Sequence, residues 1–344
     1  MSVMTRRELL LSVPALALAR AAAGQGAAQQ IRVRTLSHFG LAVSDPKRSV
    51  DFYRNLFGLP IQARAGANTI LRIGTGPQFI SIGPVENAAP SINHFCLGVD
   101  NFNVDRIMAA LAAHGVAKAD AAGPMKAAVT MRDGTPDLLF GDPDGIVCQL
   151  QDQRYCGGSG PLGNVCAVET SPQKGLIALK DLSHLTIFST DAARSNKFYQ
   201  DLFGLSIRSY QGPTAPTLAV GPTVQFLMFT GGGPSTGSGR AGARGAAPTA
   251  PPRPASINHG CFSLDGFKTD AVIKALESYG IKPREGTTGP AGPLRHYVSM
   301  RMENRGGAPE GTPELYFTDP DGLLMQLQDT SYCGGGGVLG NTCK

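Results

Sequence analysis

The sequence predicts an α+β protein assembled from four βαβββ units, and three observations carry that reading. The chain repeats itself: LSHFGLAVSDPKRSVDFYRNLFGLPI (36–61) is rewritten as LSHLTIFSTDAARSNKFYQDLFGLSI (182–207), and TPDLLFGDPDGIVCQLQD (135–152) as TPELYFTDPDGLLMQLQD (312–329). Within each half a second unit opens on its own His-bearing strand, SINHFC at 91–96 and SINHGC at 256–261. Each such strand leads into an amphipathic helix closed by Gly, then into further strand-like runs. A length of 344 residues suits two such paired units, at about 100–200 residues per domain.

Taken in order, TRRELLLSVPALALARAAAG sets Arg6 and Arg7 before an apolar run through Leu18 and then small residues. This is similar to a twin-arginine (Tat) export signal, and residues 1–30 are assigned to signal and linker. The run is shorter than the ~20 residues needed to span a bilayer, so no stable membrane insertion is expected after cleavage. A periplasmic or otherwise exported destination follows.

In LSHFGLAV the alternation puts Phe39, Leu41 and Val43 on one face and His38 and Gly40 on the other. Asp45 is the expected N-cap, with Pro46 at the first helical position. Val50, Tyr53, Leu56 and Phe57 form the apolar stripe, and Gly58 the left-handed stop. In INHFCLGV, Phe95, Leu97 and Val99 share a face, leaving Ile92, His94 and Cys96 opposite. A helix at Val104–His114, with Ile107 and Leu111 inward, ends at Gly115.

Asp142, Asp144, Asp319 and Asp321, in the two DPDG segments, read as tight turns rather than catalytic carboxylates. The strand after each turn alternates, with Ile146, Cys148 and Leu150 against Val147, Gln149 and Gln151, and with Leu324, Gln326 and Gln328 repeating the polar side. YCGGSGPLGNVC and YCGGGGVLGNTC bracket Gly-rich loops with Cys156/Cys166 and Cys333/Cys343. In an exported chain these read as disulfides; a metal knuckle is the rival, but no His or second Cys pair sits nearby. Residues 231–255, rich in Gly, Ala and Pro, read as a flexible insertion. A net charge of +5 with no Lys/Arg stripe interleaved with aromatics argues against nucleic acid.

The boundaries are then 34–154 for the first domain, 155–177 for a Cys/Gly loop and linker, 178–331 for the second domain, and 332–344 for the terminal Cys/Gly loop. The four strand histidines, His38, His94, His184 and His259, have small or polar companions on their face (Gly40, Cys96, Thr186, Cys261), as the lining of a cavity would. Each half therefore offers two His and one Gln from three strands.

The strand-start His, the FYxxLFGL segment and the FxDPDGxxxxL ending together resemble the vicinal oxygen chelate superfamily of glyoxalase I, extradiol dioxygenases and bleomycin- or fosfomycin-resistance proteins. That resemblance implies two tandem cups, each closed by two βαβββ units around a divalent metal. The ligands it implies are His184, His259 and Gln326 in the second cup, preferred by analogy with the dioxygenases, and His38, His94 and Gln149 in the first.

Both positions that carry Glu in the dioxygenases are Gln here, which removes a charge from the usual 2-His-1-carboxylate iron face. Gln does occur there in eukaryotic glyoxalase I. Fe2+ is the expected ion, with Zn2+, Mn2+, Ni2+ or Cu2+ as alternatives, and Cys96 or Cys261 as a softer ligand. His296 is a candidate proton carrier beside the metal. The function implied is ring cleavage of a small substrate with two adjacent oxygens. A glyoxalase-like lyase or isomerase follows, and the rival is a non-enzymatic binder of a small molecule. A homodimer is compatible with this reading.

Overall fold

The computed structural model describes residues 30–231 and 254–343; the Arg6–Arg7 segment and nearly all of the 231–255 insertion lie outside the described residues. The first unit runs β1 (Val33–Val43), α1 (Pro46–Phe57), β2 (Ile61–Ala65), β3 (Asn68–Arg72) and β4 (Phe79–Pro84). The second runs β5 (Ser91–Val99), α2 (Val104–Ala113), a two-residue β6 (Ala117–Lys118), β7 (Lys126–Arg132), β8 (Thr135–Gly141) and β9 (Val147–Asp152). The second half repeats this as β10 (Asp181–Ser189), α3 (Ala192–Phe203), β11 (Ile207–Tyr210), β12 (Pro216–Ala219) and β13 (Phe226–Gly231). Its last unit is β14 (Ser256–Leu264), α4 (Thr269–Tyr279), β15 (Lys282–Pro283), β16 (Arg295–Arg301), β17 (Thr312–Thr318) and β18 (Leu324–Asp329). Each half forms one nine-stranded sheet, ordered β2-β3-β4-β1-β5-β9-β8-β7-β6 and its exact counterpart in the second half. No helix among the described residues is long and apolar enough to cross a membrane.

The helix signals act as their chemistry requires. The Asp45 carboxylate accepts from the Arg48 amide, and Gly58 closes α1 at φ 69°. Asp191 and Gly204 do the same for α3. One strand assignment needs correction. Ile92 does not share the face of His94 but packs in the apolar core. The β1–β5 register pairs Gly40 with His94 and Leu41 with Ile92, skipping Asn93. That extra residue is a bulge, and it turns the strand so that residues on either side of it change faces. Asn258 is skipped in the same way between His259 and Ile257.

Behind the sheets, the helices of each half pack on the other half's strands. Phe57 of α1 meets Phe262 and Phe317 at 6.0 and 5.7 Å between ring centroids, while Phe203 of α3 meets Phe140 at 6.2 Å. The apolar faces therefore merge into one core drawn from both halves. The DPDG turns lock this seam. Asp321 accepts from the amide and hydroxyl of Ser44 and pairs with Arg48, and Asp144 accepts from Thr190 and pairs with Arg194.

The inner aspartates of the same turns are buried, each accepting two turn amides at 2.9 Å and facing a tyrosine hydroxyl of the other half at 3.4 Å. Burial pushes both Asp142 and Asp319 up from 3.8 to about 6. A raised carboxyl pKa means that the folded chain holds the proton more tightly, so this stabilisation is full below 3.8 and is lost as pH rises through about 6. Acidifying from pH 7 to pH 5 should add about 1 kcal/mol per group. Asp142→Asn with Asp319→Asn keeps the turn acceptors and should flatten that dependence in urea melts at the two pH values. An unchanged slope would assign it elsewhere.

Candidate metal centre

The site faces of the sheets, opposite the shared core, carry the histidines. On the first sheet His38 lies across from Cys96, and Cys96 from Gln149, while His94 lies across from Gly40. Three adjacent strands thus bring three side chains within cross-strand reach. His38 Nε2 stands 3.1 Å from Gln149 Oε1 and 3.3 Å from His94 Nε2. The second sheet brings His184 Nε2 to 3.2 Å and His259 Nε2 to 2.9 Å from Gln326 Oε1. Gly40 is required beside His94, because a Cβ there would overlap the imidazole ring. The second half has Thr186 at that position.

The bulge asparagines set the tautomers. Asn93 Oδ1 and Asn258 Oδ1 lie 2.7 Å from Nδ1 of His94 and His259, so each Nδ1 carries the proton and Nε2 is a bare lone pair. Burial lowers both imidazoles to about 4, and it holds His38 and His184 well below their ordinary value too, with the neighbouring histidine adding to the effect. All four are therefore neutral at pH 7, the form that ligates metal. Each first-strand His is backed by a stacked Phe, His38 on Phe79 at 4.1 Å and His184 on Phe226 at 4.3 Å.

The donor set fits a divalent ion. The lone pairs of His259 Nε2 and Gln326 Oε1 face each other at 2.9 Å, a contact that a cation between them would make favourable. Ligand atoms about 2.1 Å from one ion stand roughly 3.0–3.4 Å apart, close to the separations in both cups. Among the described residues, no group of three or more His, Cys, Asp and Glu side chains is placed to hold a metal, so any such site here depends on the Gln oxygen. Cys96 and Cys261 accordingly do not complete a softer site; burial drives both thiols well above their ordinary value and disfavours the thiolate.

His296 is also corrected. It pairs across β16–β17 with Phe317, a core residue, and its Nε2 lies 3.2 Å from Glu277 of α4. Its neighbour Tyr297 takes the cup side instead, stacking on Tyr316 at 5.1 Å, which in turn stands edge-on to His259 at 5.3 Å. The aligned residues of the first half are Ala128 and Leu139, so the two cups share donors and differ in their walls.

Sequence reasoning missed a second layer. Beside Gln149, Asp137 accepts from Gln149 Nε2 at 3.2 Å, Gln151 Nε2 at 2.9 Å and Arg132 Nε at 3.1 Å, and Arg132 also donates to the Tyr155 hydroxyl. In the second half Glu314 accepts from the fully buried Arg301 at 2.8 Å and from Tyr332 at 3.1 Å. The signal was present, since TPD/TPE and YCGG are each written twice. Disulfides join Cys156 to Cys166 and Cys333 to Cys343, each closing a loop that begins directly after one of these tyrosines. Such bonds suit an oxidising compartment.

The Glyoxalase/Bleomycin resistance protein/Dioxygenase superfamily profile matches residues 35–150 and 181–327. The chain belongs to this superfamily. Among curated proteins it is 26% identical over 161 residues to the uncharacterized protein YaeR of Escherichia coli (strain K12), covering 45% of this chain and 99% of that one. Among solved structures of the same fold it is similar to the Mn(II)-bound glyoxalase from Novosphingobium aromaticivorans (TM-score 0.55, 16% identity, 86% of this chain and 82% of that one). It is also similar to the 2,3-dioxygenase LapB from Pseudomonas sp. KL28 (TM-score 0.55, 15% identity, 86% and 92%) and to a variant of homoprotocatechuate 2,3-dioxygenase from Brevibacterium fuscum (TM-score 0.56, 16% identity, 88% and 74%). The solved structures that share its fold thus include both a glyoxalase and 2,3-dioxygenases.

Proposed function

We propose that the protein is an exported, divalent-metal-dependent enzyme that acts on a small substrate presenting two adjacent oxygens, with extradiol ring cleavage as the leading reaction and glyoxalase-like isomerisation or lyase chemistry second. The observation that carries this is the meeting of two neutral imidazole Nε2 atoms with a Gln Oε1, made independently in each half. His38, His94 and Gln149 hold one ion, and His184, His259 and Gln326 the other; a bound ion supplies Lewis-acid charge to the substrate oxygens. The residues around them do the remaining work. Phe79 and Phe226 shield the back of each cup from water. Tyr297 and Tyr316, stacked on each other with Arg284 over the Tyr297 ring, form an aromatic wall of the second cup, and the Tyr316 hydroxyl donates to Glu314 at 3.4 Å. Export is supported by the Arg6-Arg7 segment and by the two disulfides.

Gln in place of a carboxylate at both ligand positions favours a second reading, in which the cups bind and sequester a small molecule without turnover. Metal analysis of protein purified from an oxidising compartment separates the two. The enzyme reading expects about one or more equivalents of divalent metal, removable by chelator with loss of catechol turnover. Less than about a tenth of an equivalent, with ligand binding indifferent to chelator, leaves only the binder.

A further inference from the structure

The two cups share their three donors, yet only one of them fixes which end of its Gln amide faces the imidazoles. Gln149 Nε2 donates to Asp137 Oδ1, a carboxylate oxygen that also accepts from Gln151 Nε2, while Oδ2 accepts from Arg132. An ionised carboxylate only accepts, so it must face the NH2 end of the amide, and Oε1 is left toward His38. Turning the amide would set Oε1 against a carboxylate oxygen.

No such key exists in the second cup. Glu314, one methylene longer, gives Oε1 to Arg301 and Tyr332 and Oε2 to the Tyr316 hydroxyl, for which the first half has Leu139. Gln328 donates only to the Pro313 carbonyl. Gln326 Nε2 is buried with no hydrogen-bond partner. No hydrogen bond holds the NH2 end of this amide as Asp137 holds that of Gln149. Once turned, its N–H groups point at the two imidazoles and close a network that needs no ion.

We infer that Asp137 is a positioning residue for Gln149, and that it makes the first cup, rather than the second, the tighter divalent-cation site. This rests on the proposal that the cups hold cations. Outer carboxylates that orient a ligand are typically worth about 10–100-fold in metal affinity.

The test is Mn2+ titration of the full chain, with metal-free melting of every variant to verify folding. Wild type should show a tighter and a weaker class, the tighter lost in His94→Ala and the weaker in His259→Ala. Asp137→Asn should weaken the tighter class by about 10–100-fold and spare the weaker. Arg132→Gln, which breaks the ion pair but leaves the carboxylate on Gln149, should change it less than about threefold. Should Asp137→Asn not fold, Asp137→Glu with Leu139→Tyr copies the second half's pair and should bring the tighter class to the weaker one's level. Loss of the tighter class in His259→Ala overturns the inference and keeps the cation reading. So do equal losses in Asp137→Asn and Arg132→Gln. No Mn2+ binding in wild type overturns the cation reading and this inference with it.

Discussion

Phe57→Ala should destabilise the whole protein by about 3–5 kcal/mol, the usual cost of removing a buried aromatic ring and leaving its cavity. Phe57 belongs to a first-half helix, but its ring is buried against Phe262 and Phe317 of the second-half sheet. The loss therefore falls on the seam, and with one core running through both halves the described chain should melt in a single transition, shifted as a unit. Denaturant unfolding followed by tyrosine fluorescence and by far-UV circular dichroism checks this. Two separated transitions, with only the first moved, would contradict it.

Removing the C-terminal disulfide by Cys333→Ser and Cys343→Ser should cost about 3 kcal/mol in loop-closure entropy, roughly 5–10 °C in melting temperature. The closed loop does more than restrain the terminus. Its Gly335 carbonyl accepts from buried Arg301 at 2.9 Å and its Gly337 carbonyl from Thr312 at 2.6 Å, and it seats Tyr332 at 5.5 Å from the His184 ring. Reductant applied to the wild type should reproduce the loss through both disulfides. A fall below about 2 °C in the double variant would show that hydrogen bonding alone holds the loop.

The repeat made the fold legible. A chain that writes His-strand, capped helix and DPDG ending twice can bury those patterns only as repeated units, and each cap residue acts locally. Which apolar face meets which was not legible. Periodicity marks the inward side of α1 but not that its partner is the other half's sheet. Ile92 was misassigned because one extra residue, Asn93, shifts the alternation, and nothing in INHFC announces a bulge. The same alternation, applied to RHYVSMR, assigns His296 and Tyr297 to opposite faces, and only the β17 partners reveal that the His takes the core side. The three donors of each cup could be named because they recur at matching strand positions in both halves. Asp137 and Glu314 lay inside the same quoted repeats, yet their role depends on side-chain length and on Leu139 or Tyr316 two places on, which no spacing rule conveys.

The central claim is that two imidazoles and one amide oxygen grip an ion, and a crystal of the Mn2+-soaked chain measured at an anomalous wavelength tests it most directly. The expected result is an anomalous peak about 2.1–2.3 Å from His38 Nε2, His94 Nε2 and Gln149 Oε1, stronger than any peak between His184, His259 and Gln326. No peak in either cup, with both Gln amides turned to donate to the imidazoles, would contradict it.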